Sequence, residues 1–235
     1  MAAAMARGWV GEFEGMLFSD AGSGRAAALA EELGGTAVAN PELAERSDLV
    51  ILAVKPARLG EAAAQLQAAR TVVSVLGATP LERIAAAFPA AEAHRAMPNV
   101  AVERRRGVLC LAGPPSAVVR EKLELLGRVV EMPDAEIDAA TAVMGCTPAY
   151  LALAVEAIAE AGAAEGLDPA LSLELVAETV AGTAELLAGR SPEEIRRAVA
   201  SPGGSTEAGL QALEREGARR AFEAAVEASL EKMRG

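Results

Sequence analysis

Through the first half of the chain, short apolar runs alternate with longer stretches in which apolar residues recur every three or four positions. Met1 to Gly8 is alanine-rich and stops at glycine, the pattern of a helix and its end. Met16-Leu17-Phe18-Ser19 is closed by Asp20, Gly22, Ser23 and Gly24, and an amphipathic stretch follows from Arg25 to Leu33, predicting strand, turn and helix. Thr36 to Ala39 predicts a further short strand, and Asn40-Pro41 a helix start. Leu49-Val50-Ile51-Leu52-Ala53-Val54 is apolar at every position, as in a strand covered on both faces, and Lys55-Pro56 ends it. The alternation continues with helices at 59–69, 81–88 and 115–126 and strands at 71–75, 94–97, 107–111 and 129–132. Such alternation predicts a mostly parallel, Rossmann-like α/β sheet wrapped on both sides.

Beyond Pro133 the short runs cease. Residues 134–145, 148–165, 169–187, 192–199, 205–215 and 218–233 each read as helix, separated by Gly, Asp or Pro. Ser191-Pro192-Glu193-Glu194 is a capping box with proline at the first helical position. The expected organisation is an α/β domain over residues 1–133 followed by an all-helical domain over 134–235. The apolar faces of 151–164 and 173–187 are wider than a small bundle can bury. Self-association would use that surface, and so would a helix buried all round within one chain.

One stretch carries candidate chemistry. In Ser201-Pro202-Gly203-Gly204-Ser205-Thr206, proline fixes one backbone angle and the glycines permit positive φ, so successive N–H groups can converge at the start of a helix. A helix start leaves its first amides unpaired at the positive end of the dipole, which suits a small carboxylate or phosphate. Ser205 and Thr206 add hydroxyls; a capped helix after a turn has the same residues.

Composition narrows the partners. A formal net charge of −11 disfavours nucleic acid, and Arg104-Arg105-Arg106 reads as a solvated turn. Cys110 and Cys146 lack metal or disulfide spacing, which with the absence of a signal-peptide or membrane-span pattern points to a cytoplasmic protein with no metal site. His94, the sole histidine, stands in an apolar run as a structural residue.

Leu52-Ala53-Val54-Lys55-Pro56, Val72-Val73-Ser74, Arg95-Ala96-Met97-Pro98-Asn99, Asp138-Ala139, Pro148-Ala149-Tyr150 and the Ser201–Thr206 loop, in that order, resemble the motifs of pyrroline-5-carboxylate reductases over essentially the whole chain. The resemblance implies reduction of 1-pyrroline-5-carboxylate to proline, with hydride from NADPH or NADH and no need of a catalytic histidine. It implies that Ser201, Gly203, Gly204 and Ser205 bind substrate, with the Gly204 and Ser205 amides on the carboxylate, and that the Thr206 hydroxyl meets the ring nitrogen and is catalytic. Ser19 and Asn40 would face the adenosine side of the cofactor, and Ala53, Val54, Lys55, Pro56 and Gly77 its ribose and nicotinamide. It further implies a homodimer, or a higher homo-oligomer, whose helical domains interlock to complete the active site. Asn99 and Tyr150 match motif positions, and also suit a turn-stabilising amide and a packed ring.

The pattern departs from the family in places. The opening strand and Gly-x-Gly-x-x-Gly/Ala turn have no counterpart before Met1–Gly8, so two strand edges and an apolar cleft are expected in the sheet. Either the gene product starts further upstream, or the short chain is a product that binds cofactor poorly or not at all, even a non-catalytic oligomer. Met144, Cys146 and Thr147 stand where the family has small residues, and Val100-Ala101 follows Asn99 where it has Thr-Pro, which leaves open another imine or a small keto acid. Asp20 favours NADH, while Ser23 and Arg25 stand close enough to serve a 2′-phosphate.

Overall fold

The protein is described by a computed structural model over residues 1–13 and 15–234. Its backbone forms two compact units, Met1–Pro148 with Ser229–Gly235, and Ala149–Ala228.

In the first unit, helix α1 (Ala2–Gly8) precedes a parallel pair, β1 (Leu17–Phe18) and β2 (Thr36–Ala37), linked by α2 (Arg25–Leu33). After α3 (Asn40–Arg46) comes a five-stranded sheet in sequence order: β3 (Val50–Leu52), β4 (Thr71–Ser74), β5 (Glu92–Pro98), β6 (Gly107–Ala112) and β7 (Gly127–Glu131). Helices α4 (Leu59–Gln65), α5 (Leu81–Ala87) and α6 (Ala117–Glu124) connect its strands. Neighbouring strands run parallel except β5 and β6. That exception follows from length: β5 and β6 are joined only by a short turn through Val100–Arg104, too little chain for a crossover.

Val72 and Val73, adjacent on β4, are both fully buried because successive side chains leave a strand on opposite faces. Val72 packs in a cluster with Leu59, Leu66, Ile84 and Phe88, and Val73 in one with Met5, Trp9, Leu123 and Leu126. The all-apolar reading of the central strands therefore holds. Helix α1 is fastened by Arg105, whose guanidinium donates to the carbonyls of Gly8 at 2.8 Å and Val10 at 2.7 Å and pairs with Glu12. The basic triplet expected to be a solvated turn thus contains a tether.

Buried Arg95 on β5 donates to Asp134 at 3.1 Å and Asp138 at 2.5 Å. Asp134 also accepts the Leu81 N–H at 3.0 Å, so one carboxylate ties the start of α5 to the segment leading into α7 (Ile137–Ala140). Helices expected to break at Gly145 and Pro148 instead continue: α7 passes through a π-helical turn, Thr141–Gly145, into α8 (Thr147–Ala164). The wider turn absorbs the irregularity, and Pro148 falls where α8 has only begun, so its missing N–H costs little.

The second unit contains the rest of α8 with α9 (Pro169–Leu187), α10 (Pro192–Val199), α11 (Ser205–Arg215) and most of α12 (Ala218–Arg234). Asp168 caps α9 by accepting from the Ala170 and Leu171 amides, both at 3.0 Å, and the expected capping box at Ser191 and Glu194 is formed. Helices α8 and α9 meet where the Ser172 hydroxyl donates to the Ala159 carbonyl at 2.8 Å, against the bare face of Gly162. Among the described residues Ala159 and Ser172 are the buried members of this unit, whereas Leu153, Ile158, Leu173 and Leu175 are exposed. The helical run 134–164 is moreover long and apolar enough, at a mean hydropathy of 1.6, to cross a membrane by length and composition. Residues 134–145 and 148–165, read from the sequence as two helices, are here parts of that one run.

Candidate active site

The residues expected at the cofactor lie at the carboxyl ends of strands. Ser19 follows β1, Ala53, Val54, Lys55 and Pro56 follow β3, and Gly77 lies just beyond β4, whose Ser74 is in register with Leu52. Asn40 opens α3, and its side-chain amide donates to Gln65 at the end of α4 at 2.9 Å. The β1–β2 end is thereby tied to the helix that follows Lys55-Pro56. In open α/β sheets this rim is where ligands bind. Ala53 and Lys55 are exposed along it, and nothing in the protein occupies the side of Gly77 where a Cβ would project.

Asp20 anchors the loop after β1. Its carboxylate accepts from the amides of Gly22 at 2.6 Å, Ser23 at 2.9 Å and Ala26 at 2.8 Å, and from the Ser23 hydroxyl at 3.0 Å. These donors, the Ala26 amide foremost, hold its pKa down to about 2 against an ordinary 3.8. Arg25 donates to the Ser23 hydroxyl at 3.1 Å. The acid thus sits in a ring of amides of the sort that binds a phosphate. The spacing Asp20-x-Gly-Ser-Gly is an Asx-turn signature from which this role could have been read.

In the second unit, the Ser201 loop is tightly bent. Gly203 has φ +74°, and the Gly204 N–H donates to the Ser201 carbonyl at 2.9 Å. The Gly203 N–H donates to the Glu207 carboxylate at 2.8 Å. The expectation of a Gly204 amide aimed outward is corrected here, because closing the turn uses that donor. At the head of α11, the Ser205 and Thr206 amides precede the first helical bond, from Ala208 N–H to the Gly204 carbonyl, and both residues are exposed. A Cβ on Gly204 would come within 2.5 Å of the Ser201 hydroxyl and 3.0 Å of its carbonyl oxygen, so a side chain here would crowd the bend.

Other candidates are held in local contacts. His94 is fully buried, with Nε2 2.8 Å from Glu92 and Nδ1 beside Gly113. The Asn99 side-chain oxygen accepts from the Val108 N–H at 3.3 Å, holding the β5–β6 turn. The Tyr150 hydroxyl donates to the Ala225 carbonyl at 3.1 Å. Burial pushes the Cys110 thiol pKa up, away from the reactive thiolate. Arg95, quoted in the sequence only within a motif, is the buried ion of the first unit.

Comparison with known proteins agrees with this architecture. Residues 134–235 match the family described as pyrroline-5-carboxylate reductase dimerisation, and residues 1–78 match NADP oxidoreductase coenzyme F420-dependent. The chain is 38% identical over 201 residues to the pyrroline-5-carboxylate reductase of Synechocystis sp., covering 81% of this chain and 75% of that one. It is 36% identical to that of Thermus thermophilus, covering 84% of each. The crystal structure of the Streptococcus pyogenes 1-pyrroline-5-carboxylate reductase superposes with a TM-score of 0.88 at 29% identity, covering 100% of this chain and 94% of that one. The match to a dimerisation family implies homo-oligomerisation.

Proposed function

The chain belongs to the pyrroline-5-carboxylate reductase family, and on that premise we propose that it reduces 1-pyrroline-5-carboxylate to L-proline in proline biosynthesis, using NADPH or NADH. The observation that carries the reading to particular residues is the bend at Ser201–Gly204, which ends on exposed Ser205 and Thr206 amides at the positive end of α11. Those amides hold the substrate carboxylate, and Ser201, Gly203 and Gly204 shape the bend that presents them. The Thr206 hydroxyl donates to the ring nitrogen. Hydride addition at the imine carbon leaves the electron pair of the C=N bond on that nitrogen, which takes a proton and becomes a secondary amine. An exposed hydroxyl can pass that proton from solvent.

The nicotinamide cofactor, when bound, supplies the hydride. Ala53, Val54, Lys55, Pro56 and Gly77 line its ribose and nicotinamide end, and Ser19 and Asn40 its adenosine side. Asp20, Ser23 and Arg25 decide how a 2′-phosphate is received. We assign residues 1–133 to cofactor binding and 134–235 to substrate binding and association into a homodimer or larger homo-oligomer, in the cytoplasm. The apolar face of the 134–164 helix serves that association.

Oxidation of NADPH and NADH in the presence of 1-pyrroline-5-carboxylate tests the reading. Thr206→Ala is expected to lower kcat/KM about 100-fold while leaving the cofactor KM unchanged, and Thr206→Ser to restore most of the loss. No turnover with either cofactor, or a Thr206→Ala protein as active as the parent, would overturn it.

A further inference from the structure

Thr79-Pro80-Leu81-Glu82 has the spacing of a capping box at the start of α5, and the fold does not use it. The Thr79 hydroxyl is turned back into the preceding loop, where the fully buried side chain donates to the Gly77 carbonyl at 3.1 Å. Pro80, which stands at the N-cap, has no side-chain hydrogen bond to give α5. The cap is supplied from afar by Asp134, whose carboxylate accepts the Leu81 N–H at 3.0 Å. Its other oxygen accepts from Arg95 at 3.1 Å, and Arg95 stands opposite Ser74, the last residue of β4. The acid is thus braced from the strand beside the one that leads into the loop.

Between β4 and this cap the chain makes a two-residue tip. Leu76 and Thr79 are buried, while Gly77 and Ala78 between them are exposed. Ala78 has φ +53°, a left-handed conformation that alanine seldom adopts and that persists only where the surroundings impose it. We infer that Asp134 is a positioning residue of the cofactor site: by capping α5 from outside the loop, it holds the Gly77-Ala78 tip in the strained form that the cofactor meets. The inference rests on the reductase reading for the place of the cofactor at Gly77. Without the anchor at Leu81, Ala78 relaxes to negative φ and turns the peptide groups on either side of it. Cofactor binding must then restore the strained form, and the cost is read as lost affinity. Thr79 cannot replace Asp134, because its hydroxyl is already engaged by Gly77.

The test is titration calorimetry of NADPH and NADH into the full chain, without substrate. Asp134→Ala is expected to weaken cofactor binding about tenfold, the scale of one hydrogen bond to a charged group. Asp138→Ala takes the other carboxylate from Arg95 and leaves the Leu81 bond in place, so it should lower Tm comparably and keep the parent's Kd. Glycine takes positive φ without strain, so Ala78→Gly added to Asp134→Ala should recover most of the affinity. In the unmutated chain, where no folding defect intervenes, bound cofactor should slow hydrogen exchange at the amides of Gly77, Ala78 and Thr79. Equal weakening by Asp134→Ala and Asp138→Ala would trace the effect to stability alone and overturn the inference. Parent-like binding by Asp134→Ala, no recovery on adding Ala78→Gly, or unchanged exchange would each overturn it as well. Failure of the reductase reading shows separately, as a parent chain that binds cofactor without reducing 1-pyrroline-5-carboxylate, and a parent that binds neither cofactor would overturn both.

Discussion

Asp20 is a side chain whose position after a strand is read from the sequence and whose partners only the fold supplies. From the sequence it is an acid after a strand, an argument for NADH. In the fold its oxygens are taken up by the amides of Gly22, Ser23 and Ala26, so it acts first as the anion of its own loop. Replacing it by serine frees those donors for a 2′-phosphate beside Arg25, and the ratio of kcat/KM for NADPH over NADH should rise by about tenfold. An unchanged ratio would show that the loop does not meet the cofactor. The depressed pKa also has a sign. A carboxyl at about 2 when folded and 3.8 when free contributes stability above roughly pH 4 and loses it as pH falls toward 2. Amide shifts of Ser23 and Ala26 followed by NMR should accordingly inflect near pH 2, and an inflection near 4 would contradict the hydrogen bonds. Gly204 makes the converse point. Its crowding against Ser201 was legible only once the turn had been built, since its φ of −83° would suit any residue.

Among the elements, the Arg95 cluster joins strand β5, the start of α5 and the entry to α7 through two carboxylates, one of which accepts the Leu81 main-chain N–H. Removing one aspartate leaves the buried guanidinium with a single carboxylate. Asp138→Asn should destabilise the protein by ~2–3 kcal/mol, below the figure for a fully buried pair because the aspartate side chains are 27% and 28% exposed. Arg95→Met should cost less than its loss of ion pairs suggests, since Asp134 and Asp138 can turn to water. Urea unfolding of both variants checks the order, and Arg95→Met proving the more damaging would contradict it. Elements themselves were largely readable. Continuous apolar runs located β3 and β4, period-3.6 patterning α2, and the Ser191-Pro192-Glu193-Glu194 spacing the capping box of α10, because each depends on residues close in the chain. The continuity of α7 with α8 was not, since a π-turn lets a helix pass through glycine and proline that ordinarily punctuate it.

For the whole molecule, the imbalance between the two units is decisive. The first has apolar clusters on both faces of its sheet, while α8 and α9 leave Leu153, Ile158, Leu173 and Leu175 in solvent. Apolar surface of that extent marks an interaction face, and the dimerisation family matched by residues 134–235 gives it a use. Replacing Leu153 and Leu173 together by glutamate should convert the oligomer to monomer in sedimentation experiments and remove the dependence of Tm on protein concentration. A variant that still associates like the parent would place the interface elsewhere.

The amino-acid sequence alone determined the α/β-then-helical order, the strands covered on both faces and the order of motifs that carry the family resemblance, because patterning and turn chemistry are local. Tertiary structure alone decided that the Gly204 N–H closes its own turn, that Asp20 is bound by its loop, and that Arg95 lies between Asp134 and Asp138. Those facts join groups from distant or sharply bent parts of the chain, and packing, with the need to satisfy each buried polar atom, selects such partners where spacing along the sequence cannot.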